Sequence, residues 1–233
     1  MKRFYARVEI AEDESGAFAI RLDGRTVKTP AKSTLMIPSR KLAEHVSVEW
    51  ASQRDEIDPS TMPLTGLSNA AIDRVAPNRE RLIEGLASHI DNDPLRFRAE
   101  SPEDLVARET ATWNPLLDDF RGRFGIALTT TTELVPPQHL PEGATCVRNY
   151  ADARDDFHLT AFVDLAQQLG SVVVAIAALE GVIDAGAAFE AAYLEELHQA
   201  DRWGIDKEAE DRRRAIRADI ETALLFDTLA GQS

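Results

Sequence analysis

A chain of 233 residues that is 44% hydrophobic and 28% charged carries enough apolar material for one large domain or two small ones. Its formal net charge of −14 excludes a general binder of nucleic-acid backbones, which needs a basic surface to release counterions. An acidic chain suits a partner with basic or apolar patches instead. The single cysteine, Cys146, excludes an intramolecular disulfide, fits a reducing compartment and reads as a small apolar residue or idle thiol. No basic stretch followed by an apolar run opens the chain, and the most apolar run, Val172 to Leu179, is far shorter than the ~20 residues a membrane span needs. The expectation is a cytosolic or matrix-like protein, the latter only if it has already lost its presequence, with no membrane insertion.

Phe4 to Ile10 alternates, with Phe4, Ala6, Val8 and Ile10 on one face and Tyr5, Arg7 and Glu9 on the other, which predicts a half-buried strand. Glu12 to Gly16 is a polar turn. Phe18, Ile20 and Leu22 repeat the alternation, and Asp23-Gly24 is a strong hairpin turn. Thr26 to Thr29 and Leu35 to Ile37 read as short strands stopped by Pro30 and Pro38, so the chain begins as an antiparallel meander. Ser39 then caps a helix in which Leu42, Ala43, Val46, Trp50 and Ala51 recur to about Arg54. Asp55 to Pro63, with two prolines, reads as a linker and puts the domain boundary near residue 60.

Helical periodicity dominates from there. Leu64 to Val75 is predicted helical, broken at Pro77-Asn78, and Arg79 to Ile90 continues with Leu82, Ile83, Leu86 and Ile90 as its apolar stripe. Asp91 to Pro94 is a turn. Pro102 sits early in the next helix, where its missing N–H is harmless; that helix runs to about Phe124 with an interruption near Trp113-Asn114-Pro115. Ile126 to Val135, rich in threonine, is a β-like outlier, and Pro136 to Gly143 is a loop. Asp152 to Leu169, Ser171 to Gly181, Ala187 to Trp203 and Asp206 to Leu229 complete a helical array. The predicted fold class is α+β: a small antiparallel β-rich N-terminal domain, 1–60, followed by a larger, mainly α-helical domain, 61–233.

The chain offers little catalytic chemistry. Its five histidines lack metal-ligand spacing, and no HExxH, GxSxG, Walker A or GxGxxG pattern occurs. Asp91-Asn92-Asp93 opens like a calcium loop, but Arg96 stands where that loop needs glycine and Pro102 where it needs glutamate. No catalytic residue, cofactor or metal is therefore expected. Trp50 and Trp113 lie on apolar helical stripes and read as core.

The stretch Tyr193 to Arg217 stands out. It reads as the end of one helix, a break at Trp203-Gly204, and a second helix opening with Asp206, Glu208, Glu210 and Asp211. Acids there meet the positive end of the macrodipole. Arg212, Arg213, Arg214 and Arg217 follow, giving Glu208–Arg212 and Glu210–Arg214 pairs at helical spacing. Local helix stabilisation explains much of this pattern. What it leaves over is a tryptophan beside dense charge, a good composition for a binding hot spot. The candidate partner-binding residues are Trp203, Asp206, Glu208, Glu210 and Asp211.

Five segments together resemble a known family: RLDGRTVKTP (Arg21 to Pro30), EWASQRDEIDPSTMPLTGLSNAAIDRV (Glu49 to Val75), ARETATWNPLL (Ala107 to Leu117), LGSVVVAIAALEG (Leu169 to Gly181) and RWGIDKEAEDRR (Arg202 to Arg213). They are similar to the assembly chaperone of the F-type ATP synthase catalytic sector, the family that holds the alpha subunit. The resemblance implies a non-enzymatic role, and the expectation for the chain is a monomer. It would bind unassembled alpha subunit, shield the surface that later meets the beta subunit, and release alpha as the alpha/beta hexamer forms. It also implies a small β-rich domain followed by a helical one. Two other classes remain open: a small-molecule enzyme with a carboxylate acid–base in the helical domain, and a passive scaffold without a release cycle.

Overall fold

Two left-handed residues, Asp23 (φ 48°) and Gly24 (φ 81°), fold the chain back on itself at the predicted hairpin. In the computed structural model, which describes residues 1–133, 135, 140–203 and 207–232, this turn joins β2 (Phe18–Leu22) to β3 (Arg25–Thr26). β1 (Val8–Glu12) pairs antiparallel with β2 in the register Val8 opposite Leu22 and Glu12 opposite Phe18. β4 (Met36–Ile37) pairs with the other end of β2, Phe18 opposite Ile37. Phe18, Ile20 and Leu22 are buried on one face; on the other, Arg21 is exposed while Ala19 is also buried, so alternation holds only at the Arg21 end. Helix α1 (Arg40–Ala51) supplies the cover by packing Leu42, Ala43 and Val46 against β1 and β2. The Ser39 Oγ accepts the Leu42 N–H at 3.0 Å, confirming the predicted cap, and donates to the Leu229 carbonyl at 2.6 Å.

The first strand begins later than its alternation suggests. Phe4 is 63% exposed and Tyr5 only 6%, the reverse of the expected facing. Residues before Val8 are held elsewhere: the Arg3 N–H donates to the Asp55 carbonyl and the Ile57 N–H to the Met1 carbonyl. The Tyr5 hydroxyl donates to the Trp50 carbonyl at 2.7 Å, and the Asp23 carboxylate accepts the Ala6 and Arg7 N–H groups. Trp50 itself is half-buried rather than core.

The segment read as a linker is tightly built. Glu49 accepts the Leu64 and Thr65 N–H groups, each at 2.8 Å, and so caps α2 (Pro63–Ala70). The Gln53 side chain accepts the Asp58 N–H and donates to Glu49 and Thr61. A π-helical turn, Ala71–Val75, leads from α2 into α3 (Ala76–His89), and its Asp73 accepts the Thr29 hydroxyl and the Ala31 N–H. The chain divides into two compact units. One contains Met1–Arg79, Arg154–Ala161 and Thr222–Ser233; the other contains Glu80–Ala153 and Phe162–Glu221.

α3 kinks at Asn78 (φ −121°, ψ 16°), beside the predicted proline break. α4 (Glu103–Phe124) starts after Pro102, which occupies the capping position, and runs unbroken through Pro115. Burial of Trp113, Leu116 and Phe120 along one stripe holds it together across the expected interruption. Gly125 (φ 72°) ends it, its N–H donating to the Arg121 carbonyl. The threonine-rich outlier forms no strand among its described residues; Thr131 makes a single parallel bridge with Phe97. Leu134 and residues 136–139 lie outside the described residues.

α5 (Pro141–Asp152) and α6 (Asp156–Leu169) follow. α7 (Val172–Leu179), buried from Val172 through Ala178, packs on α4 and α8 (Ala185–Ala192). Its cap, Ser171, accepts the Val174 N–H and donates to the buried Asp93. The helix expected over Ala187 to Trp203 is two helices: α8 stops at Tyr193, whose hydroxyl donates to the Gln168 carbonyl at 2.9 Å, and α9 (Leu194–Trp203) begins afresh. α10 (Lys207–Ala230) closes the array. A small antiparallel sheet followed by a mainly helical chain is the predicted α+β class.

Candidate functional site

α9 and α4 are joined by several ion pairs. Arg202 donates to both Asp104 carboxylate oxygens at 3.0 and 2.9 Å. The His198 Nε2 lies 3.1 Å from Asp104 Oδ2, and Arg108 pairs with Asp201 at 3.0 Å. The hydrogen bonds from His198 and Arg202 hold the Asp104 carboxyl below the usual aspartate range.

The acids opening α10 face solvent: Glu208, Glu210 and Asp211 are all exposed. Arg214 lies 3.5 Å from Asp211 and 4.0 Å from Glu210, in pairs more than half exposed and so worth little to stability. The arginines behind them turn to their neighbours. Arg213, its side chain 14% exposed, lies 3.2 Å from Glu196 of α9. Arg217 lies 4.4 Å above the Phe189 ring, itself stacked on Tyr193 at 4.7 Å. Leu197, Glu210, Arg213, Arg214 and Arg217 line a groove of about 250 Å³. Three of the five predicted binding residues are therefore together on one exposed turn. The Trp203 side chain and the whole of Asp206 lie outside the described residues.

Sequence reasoning missed a second feature nearby. A cavity of about 480 Å³ is walled by Phe97, Trp113, Tyr193, Glu195 and Glu196 among others. Beside Glu195 lies Glu109, only 1% exposed. One of its carboxylate oxygens accepts the Ala99 N–H at 3.0 Å; the other, Oε1, has no hydrogen-bond partner among the described residues. Burial, with Glu195 adding to it, pushes the Glu109 pKa up. The available signal was an acid one helical turn before Trp113, on the stripe that α4 buries. Among the described residues no group of histidine, cysteine and acidic side chains could hold a metal, and no helix is long and apolar enough to cross a membrane.

Residues 2–121 match the family described as ATP12 chaperone protein. The chain belongs to the ATP12 chaperone family. The crystal structure of Atp12 from Paracoccus denitrificans has a TM-score of 0.93 to this chain at 34% identity, covering 98% of each. The mitochondrial protein atp12 of Schizosaccharomyces pombe is 24% identical over 210 residues, 85% of this chain and 72% of its own length. Mitochondrial ATP12 of Saccharomyces cerevisiae is 28% identical over 126 residues, 52% of this chain and 38% of its own. Membership makes the chain a chaperone of ATP synthase assembly, as its motifs suggested. The family match includes the first three motif segments; Leu169 to Gly181 and the α10 acid turn lie beyond it, within the longer likeness to the Paracoccus structure.

Proposed function

We propose that this chaperone holds the unassembled alpha subunit of the ATP synthase catalytic sector, without catalysing a reaction, and surrenders it as the alpha/beta hexamer forms. In this reading it acts as a monomer in a bacterial cytoplasm or in the mitochondrial matrix; its yeast relatives are named as mitochondrial. The observation that carries the reading is the exposed acidic turn of α10 within a chain that matches an Atp12 structure from end to end. The exposed pairs that Glu210 and Asp211 make with Arg214 contribute little to folding, so the density of acid on this turn is better accounted for by a partner. A holdase needs no cofactor. It needs only a surface that binds the client's assembly face and loses it to the proper neighbour, which differential affinity achieves. Trp203 and Asp206, on either side of the α9–α10 junction, belong to the proposed contact by their position in the sequence.

The test is charge reversal at Glu208 and Glu210. The variants Glu208→Lys and Glu210→Lys should unfold within about 1 kcal/mol of wild type. A like-charge contact at an interface costs several kcal/mol, so they should suppress alpha-subunit aggregation at least about tenfold less effectively. Equal suppression by wild type and variants would remove this turn from the interface. Adding beta subunit should discharge alpha from the wild-type complex; retention would favour a passive scaffold.

A further inference from the structure

The cavity beside Glu109 has walls of two kinds. Phe97, Trp113 and Tyr193 are aromatic; Glu195 and Glu196 are carboxylates at the start of α9. The cations nearby are already committed. Arg98 donates to the Glu109 backbone carbonyl at 3.1 Å and to Asn114 Oδ1 at 3.0 Å, with its guanidinium 5.0 Å from the Trp113 ring centre. Arg213 forms an ion pair with Glu196 at 3.2 Å, without a hydrogen bond from its Nε among the described residues. Glu195 lies close enough to the buried Glu109 to push its pKa up, Arg98 acts in the opposite sense, and Glu109 Oε1 has no hydrogen-bond partner among the described residues. Two adjacent carboxyls, one deeply buried, are electrostatically unsatisfied until a proton or a cation joins them.

We propose that this cavity receives an arginine side chain of the client polypeptide, which stacks among Phe97, Trp113 and Tyr193 and directs its guanidinium at Glu195 and, behind it, Glu109. A planar guanidinium suits both walls, because it stacks on aromatic faces and presents paired N–H donors to carboxylates. Its charge also complements the surplus acid that Arg98 leaves unmatched. The inference rests on the client reading above, and it adds a second contact separate from the α10 acid turn.

The test uses the full chain, labelled with nitrogen-15 and titrated with the capped tripeptide acetyl-Gly-Arg-Gly-amide. The same peptide with citrulline in place of arginine, equal in shape but uncharged, is the control. The Trp113 indole N–H, held on the Ala191 carbonyl at 2.8 Å, is a built-in reporter. The expected result is a saturable shift of this signal and of the Ala99 amide within about 20 mM arginine peptide, the weak range proper to one isolated charge-assisted contact. Citrulline peptide should bind at least about fivefold more weakly, as should arginine peptide to Glu195→Gln; Glu195 is exposed, so its fold should be unaffected. No saturable shift, equal binding of citrulline, or undiminished binding by Glu195→Gln each overturns the proposal. An alpha-subunit holding assay on the same samples separates the two readings. If wild type fails to hold alpha, the client reading fails. If wild type and Glu195→Gln hold it equally, only the cavity is excluded.

Discussion

Trp113 of α4 donates its indole N–H to the carbonyl of Ala191, near the end of α8, at 2.8 Å, with the ring 3% exposed. The bond satisfies a carbonyl in the last turn of α8, where the helix itself offers no donor. Trp113→Ala should cost about 3–5 kcal/mol of unfolding free energy. Trp113→Phe keeps most of the ring but orphans the carbonyl, and should cost about 1–3 kcal/mol. Trp50 offers the contrast: it is half-buried, and its indole nitrogen has no partner among the described residues. Trp50→Phe should be neutral or slightly stabilising. Urea midpoints of the three variants check the set.

Arg96 is fully buried, with its guanidinium spent on backbone. It donates to the Asp91 carbonyl at 2.9 Å and the Thr129 carbonyl at 3.1 Å, with the Asp91 carboxylate 3.6 Å away. An ammonium cannot reproduce that planar fork. Arg96→Lys should therefore destabilise by about 3–5 kcal/mol, the cost of breaking a buried charged network. Amide hydrogen exchange should show the loss first around residues 90–98 and 128–131. A urea midpoint near wild type would mean the lysine finds equivalent partners.

Glu109 gives the stability curve a slope of known sign. Its folded pKa is raised, chiefly by burial. A raised carboxyl contributes stability that is fully present below its ordinary value of 4.5 and is lost as pH rises through the folded value. Glu109→Gln removes that loss. The variant should match wild type near pH 4 and exceed it in melting temperature at pH 8. A wild-type advantage at pH 8 would show that the ionised form is held by a partner.

His158 and Asp155 set an opposing pair of slopes at the start of α6. Their side chains lie 2.9 Å apart, and Asp155 also accepts the Phe157 and His158 N–H groups. The hydrogen bond to Asp155 raises the His158 pKa; the same bond lowers that of Asp155. The histidine's contribution is fully present below its ordinary 6.5 and fades as pH rises through the raised value. The carboxylate's contribution is present above its ordinary 3.8 and is lost as pH falls through the lowered value. The pair thus stabilises most between those two ordinary values. His158→Gln should flatten the fall in melting temperature as pH rises above the ordinary histidine value of 6.5; an unchanged slope would exclude the pair as its source.

Where structure depends on a few adjacent residues, the sequence was readable. Asp23-Gly24 can turn only one way, Ser39 meets an N–H three residues on, and Pro77 disturbs the turn it sits in, as the Asn78 kink shows. Alternation before Pro38 and helical periodicity after Leu64 decided the α+β class for the same reason: both record which side of one element is covered. The acid turn of α10 was legible too, as Glu208, Glu210 and Asp211 lie close in sequence on one helix.

Tertiary structure alone decided what distant segments do to one another. Tyr5 rather than Phe4 turns inward because residues 1–3 are bonded to residues 55–57. The supposed linker became part of the first unit because Glu49 and Asp73 find backbone donors 15 and 42 residues away. The helix foreseen over Ala187 to Trp203 divides at Tyr193, where the hydroxyl reaches Gln168. Glu109 looked like one more acid on a charged helix; only the fold buries it and sets Glu195 beside it. Local sequence specifies the torsions and sidedness of each element, but a buried charge has its meaning from the dielectric and the partners around it, and the packing of separate helices supplies both.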